Sequence, residues 1–156
     1  MIDEQPTKAL AIRLATPEDI ALIEELDRLS TSPTRDIHRD MEKYFGSVDP
    51  STHEHTFIFL AEIAGALAGK AELMLPPTED TQAVGYIKRV VVHPNFRGRG
   101  LAQQLMLHII HFARNEHHLK ALDLHVWEKN HAAIHLYETL GFDLQHRELY
   151  YRLPLD

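Results

Sequence analysis

The feature that most constrains the fold is a glycine-rich turn between an apolar strand and a helix. The stretch RVVVHPNFRGRGLAQQ (89–104) leads from β-branched residues into a helical apolar pattern. A turn at this place aims free backbone N–H groups at one point, where the helix dipole adds partial positive charge. Gly98 and Gly100 let an anion approach the backbone closely. Because Arg97 and Arg99 add permanent positive charge, the pattern predicts a phosphate-binding loop.

Three phosphate-binding fingerprints can be compared with this turn. The nucleoside-triphosphate loop requires Gly-Lys-Ser/Thr, a tripeptide that the chain lacks. The dinucleotide fingerprint requires a third small residue, but after Gly98 and Gly100 that position is Gln103. The pattern Arg/Gln-x-x-Gly-x-Gly/Ala is satisfied by Arg97, Gly100 and Ala102. Taken alone, the turn has two possible interpretations, namely this anion-binding loop and an ordinary loop with a tight helix start.

The composition narrows the class of protein. With 156 residues, 44% hydrophobic and 25% charged, the chain is expected to form one soluble domain over 1–156. It has no cysteine, which excludes disulfides and thiolate catalysis and fits a cytoplasmic location. The net charge of −7 argues against a nucleic-acid partner. No membrane partner is expected, because the chain has no long apolar run and MIDEQPTKAL does not resemble a signal peptide.

Helical and strand patterns alternate only in the second half, which predicts an α/β domain with a mixed sheet. Strands are expected at 8–15, 55–65, 66–75, 83–92 and 121–127, with mostly extended chain over 142–154. Helices are expected at 17–30, 35–45, 101–115 and 130–141. Asn130 is expected to cap the last of these helices.

A second motif, NHAAIHLYETLGF (130–142), lies downstream of the turn. Its asparagine, paired alanines, tyrosine and final Gly-Phe match the second signature of the GNAT superfamily of N-acetyltransferases. The chain resembles this superfamily from about residue 10 to its C-terminus, and the blocks VHPNFRGRGLA and NHAAIHLYETLGF carry the resemblance. The resemblance implies the GNAT acyltransferase fold, an α/β (α+β) arrangement in which a mixed, twisted sheet of six or seven strands is flanked by about four helices.

The resemblance also implies acetyl-coenzyme A as cosubstrate and assigns its contacts. The pyrophosphate would be held by the turn and helix start, namely Arg97, Gly98, Arg99, Gly100, Leu101 and Ala102. The backbone of Val90, Val91 and Val92 would pair with the pantetheine amides, and one N–H there would polarise the thioester carbonyl. In the second motif, Asn130 and Ala133 would face the cofactor.

Tyr137 is the proton donor to the departing thiolate in this resemblance. A tyrosine with a pKa of roughly 10 is a weaker acid than a thiol with a pKa of roughly 8.5, so full transfer runs uphill by about 2 kcal/mol. Tyr137 is therefore expected mainly to hydrogen-bond the developing thiolate. The alternative is an ordinary half-buried aromatic residue.

The catalytic base is left open by the sequence. An alkylammonium with a pKa of about 10 is only about one part in a thousand neutral at pH 7, so a base or a water relay is expected. Related sequences often carry an acid where this chain has Tyr86. His125, five positions before Asn130, and Glu72 on the preceding strand are the two candidates. A histidine held by its neighbours and a surface glutamate are their respective alternatives.

The resemblance implies an N-acetyltransferase in which the primary amine of a small molecule or peptide attacks acetyl-coenzyme A directly within a ternary complex. It also allows a homodimer. Two alternatives are a non-catalytic coenzyme A-binding module of the same fold and nucleotide binding by the same loop. The helical pairs His108 with His111 and His131 with His135 have ligand spacing but no obvious third ligand, so no metal is expected.

Overall fold

The computed structural model describes residues 10–46, 53–77 and 82–156. The loop predicted at 46–52 and the turn predicted at 78–82 lie almost entirely outside these ranges, as do the first two residues of the first predicted strand. The chain forms two compact units, one ending at His125 and one covering Val126–Asp156.

The first unit is built on a five-stranded mixed sheet with the strand order β1-β2-β3-β4-β5. The strands are β1 (Leu10–Leu14), β2 (His55–Ile63), β3 (Ala66–Leu75), β4 (Val84–Val92) and β5 (Ala121–Asp123). The first four are antiparallel in succession, and β5 runs parallel to β4. The mixed α/β architecture is thus confirmed. The sheet has five strands among the described residues, and not the predicted six or seven, because no strand forms over 142–156.

Four α-helices occur among the described residues, as predicted. They are α1 (Ile20–Arg28), α2 (Met41–Phe45), α3 (Leu101–Asn115) and α4 (His131–Thr139). The helix predicted at 35–45 is shorter than expected, because the Asp36 carboxylate accepts a hydrogen bond from the backbone N–H of Arg39 and favours a turn there. Within the described part of the chain, no helix has the length and hydropathy needed to cross a bilayer.

Helix α3 covers one face of the sheet. Successive side chains of a strand point to opposite faces, so Phe57 and Phe59 of β2 lie on the same side. The ring of Phe112 makes edge contacts with both, at centroid distances of 5.0 and 5.1 Å. The helix residues buried in this layer are Leu101, Leu105, Met106, Ile109 and Ala113. This packing holds α3 against the sheet, and residues 93–100 connect the end of β4 to the start of the helix.

Helices α1 and α2 and the segment between them cover the opposite face. Their apolar core is made of Ile20, Ile23, Ile37, Tyr44, Ile58 and Leu60. All six side chains are buried, which removes enough apolar surface from water to hold these short helices against the sheet.

A bulge interrupts the ladder between β3 and β4. Lys70 of β3 pairs with Val91 of β4. Two residues further along β3, Glu72 pairs with Lys88, which is three residues from Val91. The extra residue is accommodated where Arg89 adopts a φ of +54°, a conformation that a residue with a Cβ rarely takes. The bulge lies immediately before Val90, Val91 and Val92, which are predicted to contact the cosubstrate.

Candidate active site

The sheet opens on one side of β4. Strands β4 and β5 pair only where Val84–Tyr86 lies beside Ala121–Asp123, although β4 continues to Val92. The second half of β4, which contains Val90 and Val91, therefore has no β5 partner on that side. An exposed strand edge of this kind offers backbone donors and acceptors to an extended, amide-bearing ligand.

The glycine turn lies at the end of this open edge. Gly98 and Gly100 have φ values of +78° and +75°, and Gly100 directly precedes the first residue of α3. A Cβ added to either glycine would meet no atom within 4 Å. The glycines are therefore required by backbone conformation, and open space lies in front of them. The N–H groups of the first helical turn have no partner within the helix and remain available to an anion.

Two guanidinium groups surround this helix start. Nε of Arg97 donates a 3.2 Å hydrogen bond to the carbonyl oxygen of Val92, which ties the turn to the end of β4. The guanidinium of Arg99 stacks 5.2 Å from the ring centre of Phe96. The first turn of α3 contains no acidic residue. The positive potential of the helix N-terminus and the two arginines is thus not cancelled locally, and the turn is suited to a polyanion.

Tyr86 and His125 are brought together at the point where β4 and β5 separate. The hydroxyl oxygen of Tyr86 lies 2.6 Å from Nδ1 of His125. Burial, together with the nearby Asp123 carboxylate, raises the pKa of the Tyr86 phenol above its usual value. The phenol is therefore neutral at pH 7 and can hold one nitrogen of the imidazole, which orients the ring.

Glu72 is in a different environment from the one the sequence suggested. Its side chain has no exposed surface, so the alternative of a surface glutamate is wrong. Oε1 accepts a 2.7 Å hydrogen bond from Arg35, while Oε2 accepts bonds of 2.6 Å from Arg35 and 2.7 Å from Lys70. Burial alone would raise the pKa of this carboxyl, but Lys70 and Arg35 outweigh it and hold the pKa below its usual range. A fully paired, buried carboxylate is poorly placed to accept a proton from a substrate.

Sequence reasoning missed Lys70 and Arg35 as partners of Glu72. The signal was present in GKAELML, where Lys70 and Glu72 share one face of a strand whose other residues are apolar or small. Two charged residues at buried positions of one face predict a paired ionic group.

In the second unit, Asn130 caps α4 as predicted. Its side-chain oxygen accepts a 3.2 Å hydrogen bond from the backbone N–H of Ala133. Tyr137 lies two turns along the same helix, and its ring meets that of Phe142 at a centroid distance of 6.0 Å. Burial raises the pKa of the Tyr137 phenol. Gly141, with a φ of +103°, ends the helical segment.

His108 and His111, the first pair of histidines with helical spacing, make other contacts. His108 packs against the ring of Phe59 at 5.2 Å, and Nδ1 of His111 lies 2.9 Å from Nδ2 of Asn115. Over the ranges that the structure describes, no group of three histidine, aspartate or glutamate side chains is placed to hold a metal ion.

A mixed sheet that opens beside its fourth strand, with a glycine turn and a helix start at the end of the opening, defines the architecture of a coenzyme A-dependent acyltransferase. The chain belongs to the Acetyltransferase (GNAT) family, whose profile matches residues 20–142.

Two curated relatives show how far the sequence similarity extends. The glucosamine 6-phosphate N-acetyltransferase of Trypanosoma brucei brucei is 31% identical over 96 residues, which are 60% of this chain and 63% of that protein. The mycothiol acetyltransferase of Rhodococcus jostii is 36% identical over 76 residues, 49% of this chain and 25% of that protein. The match therefore spans less than two thirds of either relative.

Solved structures share the fold over nearly the whole chain. An acetyltransferase of Trypanosoma brucei has a TM-score of 0.66 at 28% identity and covers 92% of this chain and 99% of its own. The enzyme AAC(6′)-Iy, in complex with the bisubstrate analog CoA-S-monomethyl-acetylneamine, has a TM-score of 0.72 at 20% identity. That match covers 94% of this chain and 99% of the other.

Proposed function

We propose that the protein transfers an acetyl group from acetyl-coenzyme A to a primary amine of a small molecule or peptide. The amine attacks the thioester directly within a ternary complex. The observation that carries this proposal is the turn at Gly98 and Gly100. This turn joins the open edge of β4 to the N-terminus of α3, whose positive potential is not neutralised by an acidic residue in the first helical turn. Family membership supports acetyl-coenzyme A as the polyanion that this turn accepts.

The first unit supplies most of the cosubstrate contacts in this proposal. The pyrophosphate is bound by the backbone from Gly98 to Ala102 and by the side chains of Arg97 and Arg99. The pantetheine arm lies along the second half of β4 and pairs with the backbone of Val90, Val91 and Val92. One N–H of this edge donates to the thioester oxygen as negative charge develops there, and such a donor is typically worth about 10²–10³ in rate.

The base in this proposal is His125, with Tyr86 as its partner. The amine nitrogen forms a bond to the acetyl carbon, and the bond from that carbon to sulfur breaks. The proton of the amine passes to Nε2 of the imidazole, which is free in the tautomer whose Nδ1–H donates to the Tyr86 oxygen. The 2.6 Å contact with Tyr86 orients the ring for this step. Glu72 is not retained as a base, because both of its oxygens are occupied in buried ion pairs.

In the second unit we propose that Asn130 and Ala133 contact the cosubstrate and that Tyr137 stabilises the leaving thiolate. Because burial raises the pKa of Tyr137, complete proton transfer from the phenol to sulfur is less favourable than at reference values. Tyr137 therefore acts as a hydrogen-bond donor to the thiolate, which still lowers the barrier for departure.

The acceptor class is drawn from the relatives. Glucosamine 6-phosphate N-acetyltransferase and mycothiol acetyltransferase are named for small-molecule products or acceptors, so amino sugars and small amines are the first candidates. A thiol-release screen with acetyl-coenzyme A and a panel of amino sugars, aminoglycosides, amino acids and peptides tests the proposal. Release with at least one amine supports it. Binding of coenzyme A with no release across the panel supports the non-catalytic module, and tighter binding of ATP or NAD supports the nucleotide alternative.

A further inference from the structure

Five charged side chains meet beneath the bulge of β4, on the face that α1 and α2 cover. Arg35 holds Glu72 through two hydrogen bonds of 2.7 and 2.6 Å. The same guanidinium holds Asp27 through bonds of 2.9 and 3.2 Å. Nζ of Lys70 lies 2.7 Å from Glu72 and 3.0 Å from Asp27. Nη1 of Arg89 lies 3.9 Å from Asp27.

The cluster contains one more cation than its pairing requires. Three positive side chains face two carboxylates, and Arg35 alone makes two hydrogen bonds to each carboxylate. Lys70 is nevertheless fully buried, with no exposed side-chain surface. Burying an ammonium group carries a large desolvation free energy, which its contacts must offset. Because Arg35 already pairs both carboxylates, a further contact of Lys70 is expected.

The contact that sets Lys70 apart from Arg35 is to the backbone of the bulge. Nζ of Lys70 donates a 3.3 Å hydrogen bond to the carbonyl oxygen of Arg89, the residue with the φ of +54°. The Arg89 side chain is held less firmly. Nη2 bonds the carbonyl oxygen of Pro33 at 2.8 Å, but Nη1 is buried without a hydrogen-bond partner among the described residues. The hydrogen bond from Lys70 thus holds the backbone of Arg89 in its unfavourable conformation of positive φ.

We propose that Lys70 is a positioning residue that holds the β4 bulge in its catalytic shape. The bulge determines where the N–H group of Val90 lies, so a displaced bulge would move the donor that polarises the thioester. Arg35, Glu72 and Asp27 fix the ammonium in place. This inference rests on the proposed function, because it assigns Lys70 to the same acetyl-transfer site.

The test is a double-mutant cycle of wild type, Lys70→Met, Arg89→Gly and the double variant. Methionine matches the length of lysine without charge or donor, and both carboxylates keep Arg35. Glycine takes a positive φ without strain, so the bulge no longer needs an anchor in the Arg89→Gly background. The measurements are kcat and KM on the best amine of the screen, together with the thermal midpoint of unfolding.

In the wild-type background, Lys70→Met is expected to lower kcat about 100-fold with little change in KM for acetyl-coenzyme A. In the Arg89→Gly background, the same replacement should lower kcat only about tenfold, because the two residues act on one backbone conformation. Equal losses in the two backgrounds, or an unchanged kcat in Lys70→Met, would overturn the proposal.

The thermal midpoints keep the inference testable if Lys70→Met folds poorly or no acceptor is found. The loss of midpoint on replacing Lys70 must be smaller with glycine at position 89 than with arginine. Equal losses would contradict anchoring of the bulge, independently of any activity. Wild type that binds coenzyme A but acetylates no amine would instead count against the proposed function alone.

Discussion

The hydroxyl oxygen of Tyr86 and Nδ1 of His125 lie 2.6 Å apart, at the point where β4 and β5 stop pairing. Thirty-nine positions separate the two residues along the chain. The two side chains considered from the sequence for the place of a catalytic acid or base thus meet at one place. A phenol and an imidazole in contact can orient and accept a proton where a carboxylate would otherwise act.

The first prediction concerns this pair. His125→Gln should lower kcat about 100-fold, because the amine then loses its proton without a positioned base. Tyr86→Phe should lower kcat by about tenfold, since the imidazole remains but is less well oriented. Neither change should alter KM for acetyl-coenzyme A. His111→Gln, on the exposed side of α3, is the matched control and should leave both constants unchanged.

The pH dependence of kcat provides a second test of the role of His125. His125→Gln should regain rate as the pH is raised, because a larger fraction of the amine is then already neutral. A variant that keeps wild-type kcat at neutral pH would show that His125 is not the base.

The second prediction concerns the turn. Gly100→Ala places a residue with a Cβ at a φ of +75°, which costs about 1 kcal/mol of stability. The added methyl group would also occupy the open space before the helix start, where we propose that the pyrophosphate binds. The Kd for coenzyme A should therefore rise about tenfold, which corresponds to about 1.4 kcal/mol of binding free energy. Calorimetric titration and thermal unfolding measure the two effects.

A matched control for this change is available in the turn between β2 and β3. Gly65 has a φ of +84°, and a Cβ there would also meet no atom within 4 Å. Gly65→Ala should therefore cost a similar free energy of unfolding and leave Kd for coenzyme A unchanged. If both variants weakened binding equally, the loss would come from general destabilisation, and the turn would have no special role.

The third prediction concerns the leaving group. Tyr137→Phe should lower kcat about tenfold to 100-fold, because the thiolate loses one hydrogen-bond donor, while KM for acetyl-coenzyme A stays nearly constant. Tyr151→Phe is the control, since this tyrosine is highly exposed. Steady-state kinetics on both variants is sufficient. Full kcat in Tyr137→Phe would show that the assigned role is wrong.

The fourth prediction concerns acid stability. The two Arg13 hydrogen bonds to Asp19, at 2.8 and 2.9 Å, lower the pKa of that carboxyl from 3.8 to about 2. Because the pKa is lower in the folded state, the pair stabilises the fold above about pH 4 and loses this contribution as the pH falls toward 2. Arg13 is partly exposed, so Asp19→Asn should cost about 1–2 kcal/mol at pH 7.

Urea unfolding of wild type and Asp19→Asn between pH 7 and pH 3 measures this linkage. The difference between the two proteins should shrink as the pH falls. Asp40→Asn is the control, because its partner Arg39 is largely exposed and a solvent-screened pair should contribute little to stability. A difference for Asp19→Asn that does not depend on pH would show that lost packing is the cause.

Features set by neighbouring residues could be predicted from the sequence. The helix expected from Leu101 to Asn115 has those bounds in the structure, and Asn130 caps α4 as predicted. Gly98 and Gly100 lack a Cβ, which suits them to a tight turn, and both have positive φ. In each case the backbone geometry depends on local sterics and on hydrogen bonds that span only a few residues.

Features that depend on distant partners could not be predicted. The strand expected at 121–127 is limited to Ala121–Asp123, because the chain stops pairing with β4 after Asp123 although β4 itself continues to Val92. The burial of Glu72 depends on its ion pair with Arg35, which lies 37 positions away in the sequence. The bulge at Arg89 and the contact between Tyr86 and His125 likewise depend on tertiary pairing and not on local pattern.

The central claim, acetyl transfer to an amine, is tested most directly by product stoichiometry. Purified protein, acetyl-coenzyme A and the best primary amine of the screen are incubated, and free thiol and acetylated amine are measured together by absorbance and mass spectrometry. We predict one acetylated amine for each thiol released, and no release with the matched tertiary amine, which cannot form a neutral amide. Thiol release without acetylated amine, or the same release with the tertiary amine, would contradict the account.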